Sequence, residues 1–242
     1  ESYERELRSA ISREPLRIDS RKDLAEFLLY QKGEPTKAEE ALRAGIEEAG
    51  EPAELLYMLG VLRAMANDPD SAVTLFERTL AADPRSLQAR ENLAGMLCQL
   101  GRLEEALRMR LDVYSGRLRL NGQDYRESLV AAGNVANVLI ILKRFEEARS
   151  LLRKTIPAAR RVLGECDETT LRMRWNYAEA LYEDPNATLD DLRESVATLE
   201  DTERTSRRVL GGAHPITGYM EGDLRKARAA LRAREGDVDA LR

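Results

Sequence analysis

Apolar residues along this chain return at helical rather than strand spacing, and they do so in paired runs. The run "AELLYMLGVLRAMANDPDSAVTLFERTLAADP" from Ala53 aligns with "LQARENLAGMLCQLGRLEEALRMRLDVY" from Leu87 at an offset of 34 residues. Leu59-Gly60 then falls on Leu93-Ala94, Ala72 on Ala106, and Phe76 on Arg110. Each unit shows a large residue followed by a small one, a second small residue twelve positions on, and a bulky position four further; Pro84 closes its unit. This pattern predicts a pair of helices, A and B, that approach closely through the small positions while bulky residues fill the grooves beside them. An earlier unit runs from Ile18 to Pro52 with Leu24-Ala25, Leu28, Ala38 and Leu42 in the same roles. Before it, "YERELRSAISREPLRI" reads as a lone helix B ending at Pro15.

Beyond Tyr114 the period lengthens: 134 − 92 = 42 and 176 − 134 = 42 separate Asn92, Asn134 and Asn176. The additional residues are expected in a longer helix B and the loop after it. The sequence Arg-Arg-Val-Leu-Gly occurs twice, from Arg160 and from Arg207. Each copy is predicted to end a long helix B, its glycine taking the left-handed cap, with Thr170 or Thr217 capping the next helix. In "YEDPNATLDDL", Asp184-Pro185-Asn186 stops one helix, and Thr188 with Asp191 forms a capping box for the next.

The 34-residue pattern resembles the tetratricopeptide repeat over nearly the whole chain. The 42-residue unit, with its "RRVLG…HPIT" corner, is similar to the kinesin-light-chain type from Leu87 to about Arg234. The resemblance implies an all-α, right-handed superhelix (an α-solenoid) of antiparallel helix pairs. Residues 1–17 would be helix B of a truncated leading repeat, followed by repeats at 18–52 and 53–86. A repeat at 87–128 has an extended helix B, and kinesin-light-chain-type repeats follow at 129–170 and 171–217, the latter with an insertion. Residues 218–242 would form a capping helix, near Gly222–Arg234, and a tail. No heptad segment of the kind that joins light chains to heavy chains is present, so motor attachment is not implied.

Composition sharpens this. The chain is 43% hydrophobic but only 5% aromatic, and Ala, Leu, Glu and Arg dominate, a helix-forming mixture. A net charge of −5 argues against nucleic acid or an anionic membrane surface as partner. Basic residues outnumber acidic ones between Glu203 and Glu235, as a solvated face or as a dock for an acidic partner. Two asparagines interrupt "SLVAAGNVANVLIIL", the longest uncharged apolar run, so no membrane span is expected. Cys98 and Cys166 show no spaced pattern and read as reduced thiols of an intracellular, cytoplasmic protein. The chain opens on Glu1 rather than Met, which is expected of a fragment or processed product and leaves organelle targeting open.

The nucleotide-binding patterns GxxxxGK[ST] and GxGxxG are absent, as are HExxH and CxxC. No enzyme activity, cofactor or metal is therefore expected. His214 reads as a turn or capping residue. Glu104-Glu105 and Glu146-Glu147 suit helix N-termini. Asn186-Ala187-Thr188 matches a glycosylation sequon but reads as loop and cap.

The family resemblance turns the helix A elements inward. Asn92, Asn134 and Asn176 would then form a ladder, with Gln88, Gln99, Asn137, Arg172 and Trp175 beside it. Amides both donate and accept, so such a ladder suits the backbone of an extended peptide; the alternative is that they bond only to neighbouring helices and water. The carboxylate clamp of chaperone-binding tetratricopeptide domains does not fit. Its positions hold Lys22, Glu26, Met58, Gln88 and Asn92, and Glu26 would repel a C-terminal carboxylate. The expected function is a non-catalytic adaptor that binds an extended protein or peptide segment in the groove. A structural subunit of a larger complex, or a regulatory segment of a longer protein, are the alternatives.

Overall fold

The computed structural model describes the backbone of residues 2–240 and the side chains of residues 2–236. Helices run through it in the order α1 (Ser2–Arg13), α2 (Ile18–Glu26), α3 (Pro35–Ala49), α4 (Ala53–Met65), α5 (Pro69–Ala82) and α6 (Leu87–Gln99). They continue as α7 (Leu103–Asn121), α8 (Arg126–Ile141), α9 (Phe145–Leu163), α10 (Glu168–Tyr182), α11 (Leu189–Leu210) and α12 (Pro215–Ala240). One π-helical turn, Phe27–Gln31, prolongs α2. Among the described residues there is no strand. The chain forms two compact units that divide between Met109 and Arg110, within α7.

In the first unit consecutive helices pack as antiparallel pairs, and α4 also touches α2 and α6 on either side. The core is a leucine cluster around Leu24, Leu28, Leu42, Leu55 and Leu59, followed by a second around Phe76, Leu93 and Leu97. In the second unit α8 pairs with α9, α10 with α11, and α12 with α11, while α10 touches both α8 and α12. Leu129, Leu152, Met173 and Leu181 fill one cluster there, and Leu192, Leu199 and Leu224 another.

The small positions set these pairings. Ala38, Ala72, Ala94, Ala106, Ala136, Ala148 and Ala178 are all fully buried. At Gly60 the contact is close: a Cβ built there would lie 2.7 Å from Phe76 Cε1, inside van der Waals contact. Helix A carries the glycine so that the aromatic ring of helix B can approach its backbone. In the last pair a hydrogen bond seals the approach, the buried Ser195 hydroxyl donating to the Ala178 carbonyl at 2.8 Å.

Helix ends follow the expected punctuation with three differences. The Thr188–Asp191 capping box is present, and Glu104-Glu105 and Glu146-Glu147 occupy the first turns of α7 and α9. Gly164 and Gly211 do take positive φ, 93° and 94°, but their ψ values of 161° and 156° are extended rather than left-handed helical. The chain then closes a turn at each corner, the Asp167 N–H donating to the Gly164 carbonyl at 3.4 Å and the His214 N–H to the Gly211 carbonyl at 3.3 Å. Thr170 caps nothing; Asp167 does, its carboxylate accepting from the Thr169 N–H at 2.9 Å, and Thr170 lies buried within α10. Thr217 likewise sits inside its helix, and its hydroxyl donates back to the Gly211 carbonyl at 3.0 Å. His214 supplies the local cap, its Nδ1 accepting from the Ile216 N–H at 3.3 Å. The closing helix is also longer than the expected Gly222–Arg234, because Pro215 follows that cap at a position where proline starts a helix.

Gly60→Ala should lower unfolding stability by about 1–2 kcal/mol, the clash with Phe76 outweighing the gain in helix propensity. Gly95→Ala, where an added Cβ meets nothing within 4 Å, should instead raise it by about 0.5–1 kcal/mol. Urea titrations of both variants measure this, and equal stabilisation by the two would overturn the close-approach account.

Candidate functional site

In the second unit one helical face of α8 and one of α10 border an open cleft of about 400 Å³. Val130, Gly133, Asn134 and Asn137 line it from α8, spaced three and four residues apart so that they share a face. From α10 come Glu168, Thr169, Arg172, Met173, Trp175 and Asn176, and Arg110 reaches in from α7. Asn134 and Asn176 are equivalent rungs on these two helices. Asn176 is only 7% exposed, with its surface turned to the cleft.

Hydrogen bonds hold the lining in place. Arg110 Nη1 donates to the main-chain carbonyl of Asn134 at 2.6 Å, which draws a guanidinium across the cleft floor. Arg172 pairs with Glu168 one turn away at 2.9 Å, and both are exposed. Trp175 donates its indole N–H to Asp223 Oδ2 at 2.8 Å, and its ring lies parallel to that of Tyr219, centroids 6.2 Å apart. Asp223 also accepts from Lys226 Nζ at 2.8 Å.

Five of the eight residues expected in a groove thus meet here: Asn134, Asn137, Arg172, Trp175 and Asn176. The other three belong to the first unit. Asn92 donates its amide to the Tyr57 hydroxyl at 3.1 Å, so this rung bonds to a neighbouring helix. Gln88 lines a separate trough, and Gln99 is exposed at the end of α6. Arg110 was not singled out as a site residue from the sequence, although its signal was there: it aligns with Phe76, and a charge at a bulky position needs a polar destination.

Beside the cleft, Glu179 on α10 is held up to about 7 by burial first, then by the carboxylates of Asp223 and Glu183, with Lys226 opposing. Among the described residues no group of histidine, cysteine and carboxylate side chains is arranged to hold a metal ion. No described helix is long and apolar enough to cross a membrane.

Tetratricopeptide-repeat family models match residues 28–78, 57–108 and 85–161, together more than half of the sequence. The chain belongs to the tetratricopeptide-repeat family. Comparison with curated protein sequences gives no match. Among solved structures, the nearly identical TPR-like repeats of a kinesin-light-chain candidate from Podosopora anserina superpose with TM-score 0.65 at 18% identity. That match covers 80% of this tetratricopeptide chain and 97% of the other. YrrB, a TPR protein with an unusual peptide-binding site, matches with TM-score 0.61 at 17% identity over 84% of this chain and 96% of its own. PilF of Pseudomonas aeruginosa matches with TM-score 0.58 at 18% identity over 92% and 90%. These likenesses establish the all-α tetratricopeptide solenoid fold.

The raised Glu179 value ties stability of these repeats to pH. The folded protein holds this proton more tightly than the unfolded chain, so the contribution is fully present below about 4.5 and declines as pH rises toward about 7. Glu179→Gln should therefore leave stability unchanged near pH 4.5 and raise it at pH 8 by roughly 1–2 kcal/mol, partial solvation reducing the full effect. Thermal melts of both proteins across this range check it. A pH-independent difference between them would count against the assignment.

Proposed function

We propose that the chain is a non-catalytic scaffold whose second unit grips an extended segment of a protein partner in the α8–α10 cleft. One observation carries this: the amides of Asn134, Asn137 and Asn176 converge with two guanidinium groups on a single trough walled by an indole. Amides serve a backbone of any sequence, whereas Arg110 and Arg172 against the single carboxylate of Glu168 favour an acidic segment. The peptide-binding site named for YrrB, which shares the fold, is in keeping with this reading.

Selection of peptides from a displayed library on the full chain, followed by calorimetry, provides the test. Each hydrogen bond lost is worth about 0.5–1.5 kcal/mol, so Asn134→Ala combined with Asn176→Ala should weaken the selected peptide about tenfold. Arg172→Glu should weaken it further, and that increment should shrink at higher salt. Arg204→Glu, an exposed change on α11, serves as the control. Binding that ignores the asparagine pair but is lost in Arg204→Glu would refute the cleft.

A further inference from the structure

We infer that the first unit carries a second binding surface, of opposite preference, that takes a cationic segment bearing one apolar anchor side chain. Two adjoining hollows there share Glu26, Tyr57 and Met58. One is a slot of about 220 Å³ between α2 and α4, walled by Leu29, Val61 and the ring of Tyr30. The other is a wider trough of about 750 Å³ that adds Glu54 and Asp83. The slot has the size and lining to accept one leucine or phenylalanine side chain.

The charge of the trough decides what else the occupant must carry. Several carboxylates of this unit are matched locally: Glu48 by Arg21, Glu39 by Arg63, and Glu51, at the trough edge, by Arg78 at 2.8 Å. Glu26 and Glu54 are exposed and have no ion-pair partner among the described residues. Lys22 is the one basic side chain lining either hollow. An acidic segment, or a free C-terminal carboxylate, would meet like charge on entering. A lysine or arginine on either side of the anchor would instead meet a carboxylate, and Tyr30, two-thirds exposed at the rim, offers its ring face to a cation. Tyr57 is already fixed by Asn92, so the wall that both hollows share is set before anything binds.

The experiment uses the full chain and fluorescein-labelled synthetic peptides in which lysines flank a single central leucine, read by anisotropy. Binding should weaken as salt is raised. Replacing the central leucine by serine should cost about tenfold, the scale of one buried apolar side chain. Glu26→Lys combined with Glu54→Lys, both exposed and without structural partners, should lower affinity by about tenfold or more. The Asn134→Ala, Asn176→Ala protein should bind this peptide as the parent does, which keeps the result independent of the α8–α10 cleft. Equal affinity in the lysine variant, equal binding of a glutamate-flanked peptide, or sensitivity to the asparagine changes would each overturn the proposal. So would concentration-dependent self-association abolished by the same lysine changes, which would make a second copy the occupant.

Discussion

Everything in this molecule rests on how near two helices can come. A helix pair with ordinary side chains at the crossing stands off by the width of those side chains; here alanine or glycine occupies the crossing in pair after pair. Ala25, Gly60, Ala94, Ala136 and Ala178 recur at one place on the first helix of each pair, and Ala38, Ala72, Ala106 and Ala148 at the matching place on the second. Close backbones bring dispersion contacts along the whole crossing, and the larger neighbours are then forced into fixed grooves. The register breaks at α11, where leucine takes the place of the expected alanine, and there Ser195 makes the close contact through a hydrogen bond instead.

That same crossing aims the polar faces. Once the small residues point into the pair, residues about half a turn away are committed to the layer formed by α8 and α10, whatever their chemistry. Asn134 and Asn176 stand two positions before Ala136 and Ala178, so their placement follows from the packing. The protein is thus free to vary what faces a partner without disturbing what holds it together. The two units show this: one hollow is lined by amides and guanidinium groups, the other by carboxylates and aromatic rings.

The fold was legible because period and residue size are local properties, readable from Gly60, Phe76 and the alanines alone. Asn134, Asn137, Arg172 and Asn176 were expected on an inward face from the tetratricopeptide resemblance, and they line one cleft in unit 2. What could not be read depends on partners distant in sequence. Asn92 and Asn134 are equivalent in the repeat, yet the Asn92 amide donates to the Tyr57 hydroxyl of a neighbouring helix while Asn134 lines the α8–α10 cleft. Thr170 is a local exception: it has the chemistry of a cap, but Asp167, three residues earlier, accepts from the Thr169 N–H instead. Arg110 owes its place to a carbonyl on a different helix.

Trp175 shows how such distant contacts shape the cleft wall. Its one donor is spent on Asp223 and one face is laid against Tyr219. Any visitor to the cleft therefore meets a plane that neither turns nor bonds. In the proposed binding mode, discrimination at that wall would be by fit alone, with little side-chain freedom left there for an arriving chain to freeze. It also means that α12 has a voice in the cleft it does not line: a change at Asp223 would loosen the indole and alter the wall from behind.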